Sequence, residues 1–420
     1  MSSTQESALR KGAVASADSG TRLSRGIPVA AGKRGWLAPF FALAVASAVG
    51  VLGLWPAQAL HDVELSWTKL DPTYNPSLVI HGDRFLSALK RTTFRKTKGK
   101  TFWVNHLYMC IGELDDLKRL RCQPYNPWQE PYLECEFDAN VRDGKTDTTG
   151  LGDVKVWVWP GKGSYAIFGR KPQKVPGAGP YCSSTVVYDQ WIAMIRPEAT
   201  VGEWRLQQPL RLFIESGYSY PKDAKWIMEK NWMPWPYTDP ASGREALHVT
   251  HMVQPHRVLE CAPSGACKVA HETTGAPALF AKFEGHSIHG GPPVIRVDAK
   301  LARDGKPYYM GIMHHIELLA PVSRNGKPKK KMKLYRHFAY QFQPEPPFAI
   351  TAISDELPLT FYRNEHHAAK AHVTYVAGFF MSANGTVYIS YGSGDRQARV
   401  RVMALGELEA TFTGKIAFLP

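Results

Sequence analysis

Three carboxylates in this 420-residue chain, Asp153, Glu229 and Asp395, stand in settings suited to acid–base work. Asp395 closes the run Val387-Tyr388-Ile389-Ser390-Tyr391-Gly392-Ser393-Gly394-Asp395, where alternation gives way to a small-residue turn. Alternation at period two marks a strand, and glycine lets the backbone turn tightly behind it. Such a turn delivers the acid to one edge of a sheet. Asp153 lies in Gly152-Asp153-Val154-Lys155 and Glu229 in Glu229-Lys230-Asn231-Trp232. Glycosidic bonds are made and broken through an oxocarbenium-like state that carboxylates assist as proton donors or acceptors. The three are therefore the candidate catalytic groups.

Around them, Lys155, Arg170, Lys230, Asn231, Trp232, His314 and His315 are candidate substrate-binding residues. Arginine meets phosphate with a planar fork and lysine as a point charge. Such cations suit inorganic phosphate or the diphosphate of a nucleotide-sugar donor. Trp226, Trp232 and Trp235 lie within ten positions and offer flat apolar faces for sugar C–H groups, although core packing is the commoner use of tryptophan. His314 and His315 are adjacent, so on a strand only one of them faces a given cavity.

Other chemistries lack their residues. No Cys-x-x-Cys or His-Glu-x-x-His pattern supplies a zinc site, and His366, His367 and His372 do not match one. No Gly-x-x-x-x-Gly-Lys-Ser/Thr loop, Gly-x-Ser-x-Gly elbow or Asp-x-Asp run occurs. Neither metal nor cofactor is assigned; phosphate or a nucleotide sugar enters only as substrate.

The elements that must position these groups read as short strands. From Ser77 to Leu408, segments rich in β-branched and aromatic residues recur between Gly, Pro, Asn and Asp, with no long amphipathic helix between them. About twenty such segments suit five blades of four strands, at about 70 residues per blade. The expected fold is all-β, a five-bladed β-propeller; a jelly roll or double sandwich would need fewer strands.

Residues 35–60 contain no charged side chain, and Trp36 and Trp55 are spaced about 29 Å apart along a helix, close to the roughly 30 Å of a bilayer core. Lys33 and Arg34 flank one end, Asp62 and Glu64 the other. The expected organisation is a cytosolic basic tail (1–34), a single transmembrane helix acting as signal anchor (35–60) and a lumenal body (61–420). Cleavage after Ala57-Gln58-Ala59, giving a secreted body, is the alternative, disfavoured by the length of the polar lead and of the apolar run. All six cysteines follow the run, on the oxidising side, so disulfides are expected. Cys261 and Cys267 enclose a proline and a glycine and suit a local bridge; the pairing of Cys110, Cys122, Cys135 and Cys182 stays open. Asn384-Gly385-Thr386 is a glycosylation sequon, available to a lumenal body.

The net charge is +14, of which the tail contributes +4, leaving a basic body that favours anionic partners. Lumenal location argues against nucleic acid. The densest basic stretch, Lys327 to Lys333, reads as a loop between strands.

Taken in order, the motifs resemble the five-bladed enzymes of glycoside hydrolase family 130, the β-mannoside phosphorylases and mannosidases, and related protist mannosyltransferases. The resemblance covers about Asn75 to Glu409. Asn75-Pro76 with the strand Phe85–Arg91 resembles blade one, and Gly152–Lys155 the Glu-Asp-Pro-Arg element of blade two. Glu229–Trp232 resembles the Lys-Asn element of blade three, Gly290-Gly291-Pro292-Pro293 with Tyr309–His315 the blade-four signature, and Ser390–Asp395 the blade-five ending. One departure bears on mechanism. The family's general acid is an aspartate after a tyrosine-rich strand of blade two, but Tyr165-Ala166-Ile167-Phe168-Gly169-Arg170 ends in arginine. The glutamate and proline of the blade-two element are absent as well. The resemblance implies a carbohydrate-active enzyme of mannose-type glycans, and with the single anchor and lumenal body the expected function is transfer of a mannose-type hexose to a glycan in the Golgi or endoplasmic reticulum. A β-mannoside phosphorylase or hydrolase is the first alternative, and a noncatalytic sugar-binding propeller the second.

Overall fold

The computed structural model describes residues 61–65, 73–97, 100–114, 116–125, 146–149, 151–170, 186–197, 204–215, 227–319, 332–359 and 373–413. The tail, the apolar run 35–60, Trp226, Cys135, Cys182 and the basic residues from Arg324 to Lys331 lie outside them. No helix among the described residues is long and apolar enough to cross a membrane.

The body is all-β. Strand β1 (His61–Glu64) opens it and joins the last sheet. The first sheet is the meander β2 (Thr73–His81), β3 (Arg84–Thr97), β4 (Lys100–Glu113) and β5 (Leu120–Tyr125), with β6 (Thr146–Thr149) parallel to β4. The second is β7 (Gly152–Trp159), β8 (Gly163–Arg170), β9 (Val186–Pro197) and β10 (Trp204–Ile214), with β11 (Ile227–Met228) beside β9. The third is β12 (Met233–Thr238), β13 (Glu245–Met252), β14 (His256–Cys261) and β15 (Ala266–Thr273), joined to β10 by a short parallel pairing. The fourth holds β16 (Ile288–Gly290), β17 (Ile295–Val297), β18 (Tyr308–Leu319), β19 (Met332–Phe342) and β20 (Ile350–Glu356). The fifth is β21 (Thr374–Met381), β22 (Thr386–Ser393) and β23 (Gln397–Ala404), completed by β1.

Five apolar cores lie between these sheets in cyclic order. One joins the first and second sheets, with Leu86 and Met109 against Val156 and Phe168. The next sets Ile167 and Ile192 against Val249 and Leu259, and the third sets Trp235 and Val258 against Tyr309 and Phe342. A fourth packs Ile312 and Ala339 on Phe379 and Ile389. The fifth returns to the start, packing Val400 and Val402 on Leu89 and Tyr108. Because each sheet lies between two others, its middle strands are buried on both faces. That is why in/out alternation is lost in β8, where Ala166 to Arg170 are all buried.

Register explains the bridges. Cys261 stands opposite Cys267 across β14 and β15, forming the expected disulfide. Cys110 stands opposite Cys122 across β4 and β5 and forms a second, which local spacing did not reveal.

The first strands of the sheets run in one direction and pack on one another, β2 on β21 and β7, β7 on β12, β17 on β21. Glycine permits the closest approach. A Cβ on Gly378 would lie 2.8 Å from the Leu78 amide nitrogen, and one on Gly290 2.6 Å from the Asn231 carbonyl oxygen.

Candidate active site

Where the first strands begin, four polar residues hold left-handed backbone: Asn75 (φ 52°), Asp153 (φ 41°), Asn231 (φ 61°) and, in the turn between β22 and β23, Asp395 (φ 53°). Asparagine and aspartate tolerate this region better than other residues bearing a Cβ. Their side chains connect different sheets. Asn75 Nδ2 donates to Asp153 Oδ1 at 3.1 Å, joining the first sheet to the second. The Tyr375 hydroxyl donates to Asn231 Oδ1 at 2.7 Å, joining the fifth to the third.

Asp153 is the centre of this arrangement. Lys90 Nζ on β3 donates to the same Oδ1 at 2.9 Å, with the aspartate side chain 30% exposed and the lysine 17%. Burial alone would raise the carboxyl, but the Lys90 ammonium, aided by Lys230 and the Asn75 amide, holds it well below the usual carboxylate range. Burial likewise opposes the Lys90 charge, and Asp153 outweighs it and raises the ammonium. An acid held ionised in this way accepts hydrogen bonds; it does not donate a proton. Burial raises the Tyr74 and Tyr335 hydroxyls, and Asp153 and Asp395 both push them further in the same direction. The two aspartates thus act on the same two phenols.

Glu229 is engaged differently. Its carboxylate accepts from Trp232 Nε1 at 2.7 Å and lies 3.0 Å from His251 Nε2, and its backbone carbonyl accepts from Gln190 at 2.8 Å. This bracing sets the backbone that carries Lys230 and Asn231. Lys230 is exposed and lies 5.7 Å from the Tyr188 ring centroid. Trp232 and Trp235 are both 0% exposed, so their ring faces are used in packing and not offered to a ligand. Trp235 packs among Tyr309, Phe342 and Phe348, as a core tryptophan does.

Two cations of the sequence reading are interior. Lys155 is buried and donates to the Trp232 carbonyl at 3.2 Å; burial lowers its ammonium to about 7, partly opposed by Asp153. Arg170 is buried at the end of β8 with its guanidinium 5.2 Å from the Trp191 ring centroid. Below them His314 stacks on Tyr335 at 5.2 Å, near His289 and His337 and edge-on to Tyr375. Burial first, then His337, His289 and Lys155, keep the His314 imidazole well below its ordinary value, so it serves as a neutral donor or acceptor. His315 points to the opposite face of β18, packed against Phe283, Phe338 and His286. Among the described residues no group of His, Cys, Asp and Glu is arranged to hold a metal.

The structure therefore brings together Asp153, Asp395, Lys155, Lys230, Asn231 and His314, with Glu229 and Trp232 bracing them from behind and His315 turned away. The sequence reading missed Lys90, Tyr74, Tyr335 and Tyr375. In the strand Phe85–Arg91 it is Lys90, not the arginine, that reaches Asp153. Parity within β3 distinguishes the two only once the pairing register is known. The left-handed backbone of Asn75 was not legible, since a residue before proline is ordinarily extended.

No family model and no curated protein sequence matches the chain. Solved structures do. A β-1,2-mannobiose phosphorylase from Listeria innocua aligns over 82% of this chain and 92% of its own, at 9% identity and a TM-score of 0.50. A glycosyl hydrolase from Bacteroides ovatus aligns over 80% and 84%, at 12% identity and 0.47. A GDP-Man-dependent mannosyltransferase from Leishmania mexicana aligns over 85% and 94%, at 14% identity and 0.43. Of these three the first is similar enough to speak to fold, and at 9% identity to fold alone. The chain is thus similar in fold to a mannoside phosphorylase of the group that its ordered motifs resemble.

Proposed function

We propose that the protein is a carbohydrate-active enzyme, a five-bladed β-propeller on a single N-terminal anchor, that transfers a mannose-type hexose to a secretory glycan in the Golgi or endoplasmic reticulum. The observation that carries this reading is the Lys90–Asp153–Asn75 lock. Cleaving an ordinary glycoside requires a protonated acid at the leaving oxygen. Asp153 is held ionised, Glu229 already accepts from an indole N–H, and Arg170 stands where the resembled enzymes carry their acid. A phosphate or diphosphate leaving group departs without such an acid. What that chemistry needs instead is cations for the phosphate and an ionised carboxylate to accept a hydrogen bond from the acceptor hydroxyl and orient it, and Lys230 and Asp153 suit those roles. Asp395 and Asn231 would hold sugar hydroxyls.

The second reading, a β-mannoside phosphorylase or hydrolase, is favoured by the fold similarity to the Listeria phosphorylase. Both are tested on the full chain made in an oxidising compartment, offered sugar phosphates, nucleotide sugars and β-mannosides with glycan, water or phosphate as acceptor. Transfer from an activated donor supports the first; release of sugar from mannosides by water or phosphate alone supports the second. Sugar binding that is unaccompanied by turnover and unchanged in Asp153→Asn and Asp395→Asn would overturn both in favour of a noncatalytic binding propeller.

A further inference from the structure

Both hydrogen bonds to the Asp153 side chain fall on Oδ1, one from Lys90 and one from Asn75, and among the described residues none falls on Oδ2. The two donors come from neighbouring strands, and a single residue adjoins both. Tyr74 precedes Asn75 on β2 and stands directly opposite Lys90 on β3, at the edge of the register shift between Tyr74 and Ser77. The Lys90 ammonium lies 5.6 Å from the Tyr74 ring centroid, within cation–π range. Whatever fixes Tyr74 therefore fixes both partners of the acid.

Tyr74 is itself tied into the first sheet. Lys90 and Thr92 are two positions apart on β3 and share a face, and Thr92 pairs with Asn105 on β4. The Thr92 hydroxyl donates to Asn105 Oδ1 at 2.9 Å. A hydroxyl has one proton, so in the bond between Tyr74 and Thr92 the phenol donates and Thr92 Oγ1 accepts. Tyr74 and Asn105 are both buried, where polar groups need partners. The chain Tyr74–Thr92–Asn105 thus crosses three strands and commits the phenol proton to the sheet. Thr93, the next residue and so on the other face, makes the same kind of tie to the exposed His106 at 2.8 Å.

We infer that Tyr74, Thr92 and Asn105 are positioning residues for the transfer proposed above, holding Lys90 and Asn75 on Asp153 Oδ1 so that Oδ2 keeps its charge and its direction towards an acceptor hydroxyl. The role in transfer rests on that proposed function; the hold on Asp153 does not. Asp153 is faced by Lys90 and Tyr74 of the first sheet, Lys155 of its own strand, Lys230 ahead of β12, Tyr335 of β19 and Tyr375 of β21. Of these, Lys90 does most to hold it ionised against burial. Loosening Tyr74 lets the ammonium and the Asn75 amide move off, burial is then less opposed, and the carboxyl rises towards the ordinary range. A carboxylate no longer pinned at Oδ1 also turns about its own bond, and the orientation of the acceptor is lost with it.

The test follows the Asp153 carboxyl by carbon-13 NMR of the full chain labelled at its aspartate carboxyls, with Asp153→Asn identifying the signal. In the parent chain it should stay ionised down to the lowest pH at which the protein is folded. In Thr92→Val and Tyr74→Phe its titration should move up by at least about one pH unit, about a tenfold change in proton affinity. Thr92→Ser should restore the parental behaviour, and Thr93→Val, on the other face of the same hairpin, should leave it unchanged. Initial rates with GDP-mannose or mannose 1-phosphate as donor and β-1,2-mannobiose as acceptor should show kcat lower by about tenfold in Thr92→Val and Tyr74→Phe, with KM changed less. An unmoved signal in those two variants, no recovery with serine, or an equal shift in Thr93→Val overturns the network, and a moved signal with kcat unchanged overturns its role in transfer. Turnover by the parent separates the two claims. If it is found while the signal does not respond, the network falls and the enzyme stands. If it is absent while the signal moves as stated, the enzyme falls and the hold on Asp153 stands.

Discussion

The two ends of the sheets solve the same backbone problem with different residues. At the end away from the pocket, turns with positive φ use glycine at Gly82, Gly161, Gly163, Gly243, Gly265, Gly305 and Gly385, and the one non-glycine there among the described residues is the apolar, buried Phe348 (φ 60°). Glycine enters that region without steric cost and carries no function. At the pocket end, beside Gly394, the comparable geometry is taken by the polar residues Asn75, Asp153, Asn231 and Asp395, which bear a steric penalty and present an amide or a carboxylate. The difference teaches where selection for folding ends and selection for chemistry begins. A strained polar residue persists where its side chain is used, and the hydrogen bonds of Asn75 and Asn231 to neighbouring sheets hold the strain in place.

If the ends are specialised in this way, variants should separate stability from turnover. The largest effect is expected for Arg401→Met, which removes the cation 3.1 Å from Asp62 on the closing strand β1, where both side chains are nearly buried. Loss of one partner of a buried pair costs about 3 kcal/mol or more. Urea unfolding should show that loss while turnover per folded molecule is retained; an equal fall in both would break the comparison. Lys90→Met should do the reverse. Asp153 loses the ammonium that keeps it ionised, and transfer should fall about 100-fold with the substrate KM changed less, a ratio read from initial rates.

A third variant sharpens the electrostatics of the pocket end. Burial lowers Lys155 to about 7, whereas in the unfolded chain it titrates near its ordinary value of about 10.4. Between those values the unfolded state binds the extra proton, so Lys155 makes stability rise with pH from about 7 to about 10. Below pH 7 both states are protonated and the contribution is flat. In Lys155→Met the urea midpoint should lose that rising limb relative to the parent chain; parallel profiles at pH 7 and 9.5 would refute the buried cation. The smallest effect belongs to Asn384→Gln, in the exposed turn between β21 and β22. Stability should stay within about 0.5 kcal/mol, and loss of one glycan by mass, from protein made in a secretory cell, would support the lumenal body.

Legibility differed by range of interaction. Strands were readable because alternation and turn residues act over a few positions, and β22 with its Gly394-Asp395 turn matches the run read from sequence. The Cys261–Cys267 bridge was readable because six positions separate its ends and a turn lies between them. The site was readable as a set of residue types and not as a set of roles. Trp232 looked like a sugar platform, and is consumed in holding Glu229; Glu229 looked like a catalytic acid, and is consumed in holding Trp232 and His251.

Local pattern by itself determined the all-β class, the hairpin turns and the short disulfide, since each depends on neighbours in the chain. Tertiary structure alone decided that Asp153 is ionised, that Lys155 is buried and that His314 rather than His315 faces the pocket. Lys90 and Asp153 are 63 positions apart and lie on different sheets. The charge state of an acid depends on how far water is excluded and which charges stand within a few ångströms, and both follow from how separate sheets pack.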